Sequence, residues 1–201
     1  MLGKPRWPAA LFFIAGIVAV ASLRYSSTII DCFVPPRGIP SAIASSGANM
    51  KIESSAFSDR SSIPKQFTCQ GSDSSPDLKW SAPPEGTKSL ALVVDDPDAP
   101  TGTWVHWVVW NLSLALRGLP EGIAKNESLP DGTRQGVNDF KRIGYGGPCP
   151  PPGKHHRYFF KLYALDSSLD LPARSTKAQL ERAMQKHILA QAELVGTYQR
   201  N

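Results

Sequence analysis

Two histidines and a tyrosine stand at positions from which they could form one small polar site. Residues 103–112 read T-W-V-H-W-V-V-W-N-L, and residues 156–165 read H-R-Y-F-F-K-L-Y-A-L. Both segments are rich in β-branched and aromatic residues, which is typical of strands. Because side chains alternate across a strand, polar rings at the start of each segment are predicted to share a face with apolar neighbours. The two predicted faces are Trp104, His106, Val108 and Trp110, and His156, Tyr158, Phe160 and Leu162.

If both faces look into the same core, His106, His156 and Tyr158 meet at one end of it. Imidazole and phenol groups in such a place could donate hydrogen bonds to the oxygens of a phosphate-like anion. A histidine on an apolar strand is more often a core residue with its hydrogen bonds satisfied, so a purely structural role remains the alternative.

Two stiff loops favour the binding interpretation. Residues 96–100, D-P-D-A-P, follow the apolar run 89–95, and their prolines fix the turn that places Asp96 at the mouth of the core. Residues 144–153, G-Y-G-G-P-C-P-P-P-G, end just before His156. Glycines there let backbone approach a ligand, and prolines reduce the loop's freedom. A rigid rim beside imidazoles predicts a small pre-formed pocket.

The remaining pattern predicts a mainly β fold. The chain has 201 residues, with 16 glycines and 18 prolines, which suits one domain with many turns. One helix is predicted after Thr176, where Gln179 completes a capping box, and its apolar face would be Leu180, Met184 and Ile188. A last strand follows over residues 192–198. Several short strands and a late helix indicate an antiparallel β-sandwich with a short C-terminal helix and an N-terminal hydrophobic leader.

The N-terminus has the pattern of a targeting segment. Lys4 and Arg6 precede the apolar run 9–23, as in a signal peptide. Two alternatives stay open: cleavage after Ala21, or an uncleaved inner-membrane anchor over residues 7–25. We therefore predict a signal peptide or membrane anchor at 1–28, a linker at 29–49 and one domain at 50–201. Either alternative places that domain in the periplasm or outside the cell.

Composition and cysteine spacing exclude some classes of function. The net charge of +5 is not concentrated in a basic stripe, so no nucleic-acid partner is expected. The three cysteines lack the close spacing of a metal site, so no metal and no cofactor is predicted. No nucleophile motif accompanies the histidines, and no catalytic residue is predicted. Export would permit a disulfide between Cys69 and Cys149, both in predicted loops, with free thiols as the alternative.

Several motifs together resemble the phosphatidylethanolamine-binding protein family in its bacterial Raf-kinase-inhibitor-like branch. They cover residues 50–200 in order and include the D-P-D-A-P turn, the W-V-H-W strand and the G-Y-G-G-P…H-R-Y stretch. Three shorter matches are F-T-C at 67–69, S-P-D-L-K-W at 75–80 and L-V-G-T-Y at 194–198. One departure is Val105, where many eukaryotic members have a second histidine.

The resemblance implies a sandwich with a small pocket for phosphate-like or phospholipid head groups. Asp96 would orient and charge a histidine or accept a hydrogen bond from an ammonium group. Arg157 alternates to the opposite face and is expected in a structural ion pair. The predicted ligand-binding residues are Asp96, Pro100, His106, Gly146, Gly147, Pro148, His156 and Tyr158.

The predicted function is thus a non-enzymatic, exported binding protein for a small anion. Two alternatives stay open. One is an inhibitor of an exported protease or other enzyme, acting through the rim loops. The other is a hydrolase that uses the aspartate and histidines for acid–base chemistry.

Overall fold

The computed structural model describes residues 50–201. The predicted leader at 1–28 and linker at 29–49 lie outside these residues, and so does their boundary with the domain. Within the described part of the chain, no helix has the length and apolar character needed to cross a bilayer.

Two antiparallel sheets and one helix make up the described chain, which confirms the predicted mainly β fold. A small sheet has the strand order β1-β2-β5, and a five-stranded sheet has the order β6-β4-β3-β7-β8. A short 3₁₀ helix covers Lys65–Phe67. The elements are β1 Ile52–Glu53, β2 Leu78–Trp80, β3 Ser89–Asp96, β4 Trp104–Leu112, β5 Gly118–Leu119, β6 Arg134–Gln135, β7 His155–Leu165, α1 Lys177–Met184 and β8 Ile188–Gln199.

Strand β3 is central to the large sheet, and all eight of its residues are buried. Its alternate side chains enter two separate cores. Leu90, Leu92 and Val94 pack in the main core, toward the small sheet. Ala91 and Val93 pack in a second core, which the helix covers with Leu180 and Met184.

The apolar run of β3 ends in two buried carboxylates that point to opposite faces. The side chain of Asp95 points to the same side of the sheet as Ala91 and Val93, into the second core. There it pairs with Lys161 at 2.9 Å and with Lys177 of α1. The side chain of Asp96 points to the same side as Leu92 and Val94, where it faces His156. Burial alone would make both carboxylates unfavourable, so each requires its partner.

A bulge in β4 changes the predicted strand face. Opposite β3, Val94 pairs with Trp107 and Asp95 pairs with Val105, so His106 is the extra residue. The prediction that Trp104, His106, Val108 and Trp110 share one face is therefore wrong for the last two. Val108 and Trp110 lie in the second core, whereas Trp107 lies in the main core. In β7, which continues unbroken past the site, His156, Tyr158, Phe160 and Leu162 all point inward as predicted.

The C-terminal helix is shorter than the sequence pattern predicts. The capping box of Thr176 and Gln179 is present, and Leu180 and Met184 are buried. The prediction that Ile188 continues this face is wrong, because α1 ends at Met184 and Ile188 pairs with Leu165 at the start of β8. Strand pairing to β7 thus begins four residues before the predicted residue 192. The side chain of Ile188 is 41% exposed.

Candidate ligand-binding site

A cavity of about 240 Å³ lies where three strands of the large sheet begin or end. The antiparallel order brings the C-terminal end of β3 beside the N-terminal ends of β4 and β7. Asp96, His106 and His156 come from these three strand ends. The complete lining is Asp96, Ala99, Pro100, Thr101, Trp104, His106, Phe140, Cys149, Pro150, Pro151 and His156.

Asp96 and His156 form a buried hydrogen-bonded pair. His156 Nδ1 lies 2.8 Å from Asp96 Oδ2, and the two residues are 4% and 3% exposed. The other carboxylate oxygen, Oδ1, accepts the backbone N–H of Asp98 at 2.8 Å. Asp96 therefore fixes the orientation of the His156 ring, as one of the two sequence interpretations expected.

His106 is held by the backbone of the Gly/Pro loop at residues 144–153, here called the rim loop. Its Nδ1 lies 2.6 Å from the carbonyl oxygen of Gly146, and its own carbonyl accepts the Gly146 N–H at 2.9 Å. The ring meets Phe140 and Tyr158 edge to face, with centroids 5.3 and 5.2 Å away. Burial lowers the pKa of His106, although the Gly146 hydrogen bond and the charge of Asp96 oppose this. The environment therefore favours the neutral imidazole.

Tyr158 lies behind the histidine rings, outside the lining of the cavity. The residue is fully buried, and its hydroxyl has no partner at normal hydrogen-bond distance within residues 50–201, although the Asp96 carboxylate lies near enough to act as a weak, distant acceptor. Burial raises its pKa, and the nearby charge of Asp96 adds to the effect, so the phenol keeps its proton. Trp104 Nε1 is a second buried donor without a partner among the described residues. Buried unpaired donors are costly, but Trp80 Nε1, Trp110 Nε1 and Arg134 Nε also lack partners in this part of the chain and lie outside the cavity lining, so these atoms do not by themselves mark the site.

Four further contacts fix the rim loop. The Gly147 N–H donates to Asp73 Oδ1 at 2.6 Å, and the Tyr145 hydroxyl donates to the carbonyl of Phe67 at 2.9 Å. Cys149 forms a disulfide with Cys69, with the Cα atoms 5.4 Å apart. The Cys69 N–H also donates to the carbonyl of Pro148 at 3.1 Å. Backbone and covalent contacts therefore hold this wall of the cavity.

Arg157 lies on the outer face of β7, where its ion pair was expected. Its Nε and Nη2 donate to the two carboxylate oxygens of Asp98 at 2.8 and 2.7 Å, and its backbone N–H donates at 3.0 Å. These bonds brace the turn that carries Asp96. Arg157 does not line the cavity.

The structure separates the eight predicted site residues into two groups. Asp96, Pro100, His106 and His156 line the cavity, whereas Gly146, Gly147, Pro148 and Tyr158 support the lining from behind. Sequence reasoning missed Phe140, which has no motif around it to mark it. It also left out Trp104, although the strand face shared with His106 could have indicated that residue. Pro150 and Pro151 belong to the predicted Gly/Pro loop but were not named.

A β-sandwich with a small, rigid, aromatic-lined cavity at one sheet end defines a class of ligand-binding domains. The family model described as phosphatidylethanolamine-binding protein matches residues 53–199. The chain belongs to the phosphatidylethanolamine-binding protein family, as the sequence motifs predicted.

Similar proteins agree with this assignment. The chain is 48% identical over 151 residues to a UPF0098 protein of Methanothermobacter thermautotrophicus, an alignment that covers 75% of this chain and 99% of that one. Two solved structures are also similar. The phosphatidylethanolamine-binding protein homologue CT736 of Chlamydia trachomatis has a TM-score of 0.70 and 44% identity over 76% of this chain and 99% of its own. E. coli YbcL has a TM-score of 0.72 and 35% identity over 77% and 100%.

The close fit of the rim loop can be tested with Gly147→Ala. A Cβ at this position would lie 2.3 Å from the carbonyl oxygen of Phe67 and 2.8 Å from Thr68 Cα, both backbone atoms. We expect a loss of about 3 kcal/mol or more, seen as a lower thermal midpoint of the full chain. The control is Gly153→Ala, where φ is +74° but no atom lies within 4 Å, and the expected cost is about 1 kcal/mol. Equal effects of the two substitutions would contradict this account of the rim.

The Asp98–Arg157 pair should make stability depend on acidity. The hydrogen bonds from Arg157 hold the pKa of Asp98 at about 2, below its ordinary 3.8. The folded state thus binds this proton less readily, so the contribution is complete above about pH 4 and is lost as pH falls through 2. Because Arg157 is half exposed, Asp98→Asn should cost only about 1 kcal/mol at pH 6.

Thermal unfolding between pH 2 and pH 6 measures this effect. The difference between wild type and Asp98→Asn should shrink toward pH 2. Asp170→Asn is the matched control, because Asp170 is exposed and makes no ion pair with the described residues. A pH-independent difference for Asp98→Asn would show that the carboxylate charge is not the cause.

Proposed function

We propose that this protein binds a small phosphate-bearing ligand, such as a phospholipid head group, in the cavity between Asp96, His106 and His156. The observation that carries the proposal is the cavity itself. Its histidines are oriented by fixed partners, and its rim is held by backbone contacts before any ligand enters. A pre-formed concave site with a few oriented polar groups among apolar walls is the usual form of a small-molecule site.

The size of the cavity favours a head group over a whole lipid. At about 240 Å³ it is smaller than the roughly 300–1,000 Å³ of pockets that hold drug-sized ligands. Trp104, Phe140 and the rim prolines supply apolar contacts, while the imidazoles supply hydrogen-bonding groups. The acyl chains of a lipid would have to remain outside.

The proposal includes export of the domain. The Cys69–Cys149 disulfide supports it, because disulfides persist in oxidising compartments and are rare in the cytosol. The charged and apolar pattern of the first residues supports it independently. Left uncleaved, that segment would tether the domain to the inner membrane.

No catalytic role is part of the proposal. Cys149, the cysteine in the lining, is held in a disulfide and offers no thiolate. Hydrolysis assisted by Asp96 and His156, and inhibition of another protein through the rim loops, are outcomes that the binding experiment can separate.

Thermal unfolding of the full chain in dodecyl maltoside, with and without millimolar phosphoethanolamine, tests the proposal. Ligand at 100 times its Kd should add about 2.7 kcal/mol, which raises the midpoint by about 5–10 °C. His156→Ala should remove this shift, because it deletes an imidazole from the lining and leaves Asp96 without its partner.

The matched control is His187→Ala. His187 also pairs with a carboxylate, Asp166 at 2.7 Å, but lies outside the cavity, so this variant should keep the full ligand shift. If wild type shows no shift, the anion-binding proposal fails and the rim becomes the candidate surface for a protein partner. Release of inorganic phosphate from phosphoethanolamine that stops in His156→Ala would favour the hydrolase instead.

Export can be tested by the redox state of Cys69 and Cys149 in living cells. A membrane-permeant maleimide should fail to label these cysteines in the full chain unless a reductant is added first. A variant without residues 1–28 should remain in the reducing cytosol and be labelled directly. Direct labelling of both cysteines in the full chain would contradict export.

A further inference from the structure

The disulfide of the rim loop connects the wall of the cavity to the surface of the protein. Cys149 lies in the lining, whereas its partner Cys69 is an exposed residue. A disulfide is exchanged when a thiolate from outside attacks one of its sulfurs, so access to a sulfur decides whether it reacts. The exposure of Cys69 gives a reductant in solution this access while the protein is folded.

The disulfide also anchors the part of the rim loop that lines the cavity. Residues 149–152 are one cysteine and three prolines, and the prolines have no N–H to donate. Within the described chain, the one backbone hydrogen bond of this stretch is local, from the Lys154 N–H to the carbonyl of Pro151 at 3.2 Å. The flanking residues Pro148 and Gly153 do bond to other segments, at 3.1 and 2.9 Å. The position of Cys149 and Pro150 in the cavity wall therefore depends on the disulfide.

A positive charge stands beside the sulfur on the cavity side. Arg200 is partly buried, and its Nη1 atom lies 3.6 Å from Cys149 Sγ. A cation beside a sulfur stabilises the thiolate. A sulfur whose thiolate is stabilised leaves faster when its disulfide partner is attacked. The geometry thus favours attack at Cys69 and departure of Cys149.

On the basis of the proposed function, we propose that Cys69–Cys149 is a thiol–disulfide exchange site whose oxidised form holds the cavity in its binding shape and whose reduction by a dithiol weakens ligand binding. One thiolate of the dithiol bonds to Cys69 Sγ, the S–S bond breaks, and its electron pair leaves on Cys149. The second thiolate of the dithiol then displaces Cys69. The dithiol departs as a disulfide, and the two cysteines have gained its two electrons and two protons.

Coupling between the disulfide and the cavity has to be reciprocal. If reduction weakens ligand binding by some factor, the ligand shifts the disulfide–dithiol equilibrium toward the disulfide by the same factor. We expect a factor of about ten, within the usual range of such couplings. For a two-electron couple this corresponds to a reduction potential about 30 mV lower in the presence of ligand.

The exchange reaction is tested first, without ligand. In the full chain with Cys32→Ser, in dodecyl maltoside, the two remaining cysteines report alone. Millimolar dithiothreitol should expose both to alkylation by a maleimide, counted by mass spectrometry, while the near-ultraviolet circular dichroism of the fold persists. A disulfide that resists until the protein unfolds, or a fold that is lost on reduction, overturns the inference, because the pair would then be purely structural.

Arg200 variants test the direction of the reaction. Arg200→Gln should slow reduction about threefold or more, since the departing Cys149 thiolate loses its cation. Arg200→Lys should restore most of the rate. Arg182→Gln, at an exposed arginine of α1, is the matched control and should leave the rate unchanged. A rate that is the same in all of these variants contradicts the role of Arg200.

Titration calorimetry with phosphoethanolamine tests the coupling. The reduced protein should bind about tenfold more weakly than the oxidised protein. Cys69→Ser combined with Cys149→Ser should bind as weakly with dithiothreitol as without it, which excludes an effect of the reductant itself. Leu180→Ala, in the second core, separates lower stability from a looser rim, because it destabilises the fold but should keep the wild-type Kd.

The results distinguish failure of this inference from failure of the proposed function. Equal Kd values for the oxidised and reduced protein overturn the coupling while ligand binding stands. A redox titration in mixtures of reduced and oxidised dithiothreitol should give the same factor with saturating phosphoethanolamine, and an unshifted midpoint contradicts it. If neither form binds phosphoethanolamine, the proposed function fails and the coupling fails with it, whereas the ligand-free kinetics still decide whether the disulfide is an exchange site.

Discussion

Two consecutive carboxylates at the end of a strand buried on both faces constrain this part of the molecule. The apolar residues of β3 need a layer on each side, and Asp95 and Asp96 continue into the same two layers. A buried carboxylate without a partner is too costly to keep its charge. Lys161 and Lys177 meet this need for Asp95, and His156 meets it for Asp96. The Asp95-Asp96 dipeptide therefore helps to fix both the position of α1, through Lys177, and the orientation of the His156 ring.

The bulge at His106 complements this constraint from the neighbouring strand. One extra residue opposite Val94 and Asp95 lets His106 face the cavity while Trp107 fills the main core. Gln135 on β6 then accepts the Trp107 indole N–H at 2.7 Å, and Gly146 fixes His106. Without the bulge, strict alternation would turn Trp107 toward the helix side and leave a large gap in the main core. Site and core are therefore set by the same local irregularity.

The location of the site could be predicted from the sequence. Strand composition, stiff loops and family motifs all indicated the end of β3 and the starts of β4 and β7. The faces of β7, the capping box of α1 and the contribution of Asp96 follow from local rules. The bulge could not be predicted, since it depends on pairing between β3 and β4 and not on either segment alone. The position of Ile188 could not be predicted for the same reason. Its pairing with Leu165 in the sheet is favoured over the helical periodicity of the local sequence. Phe140 lies in a loop, and only the tertiary fold brings that loop to the cavity, so the local sequence does not indicate its role.

The rim explains how so small a cavity can remain open in a compact sandwich. Prolines restrict the loop, Asp73 and Phe67 hold its backbone, and the disulfide joins it to a segment 80 residues earlier in the chain. In chain-entropy terms, a cross-link of that span stabilises the fold by about 4 kcal/mol. The entropy of ordering the rim is thus lost during folding, and a ligand does not have to order it again on binding. Rigidity also fixes the Nδ1 partners of both histidines, and with them the orientation of both rings.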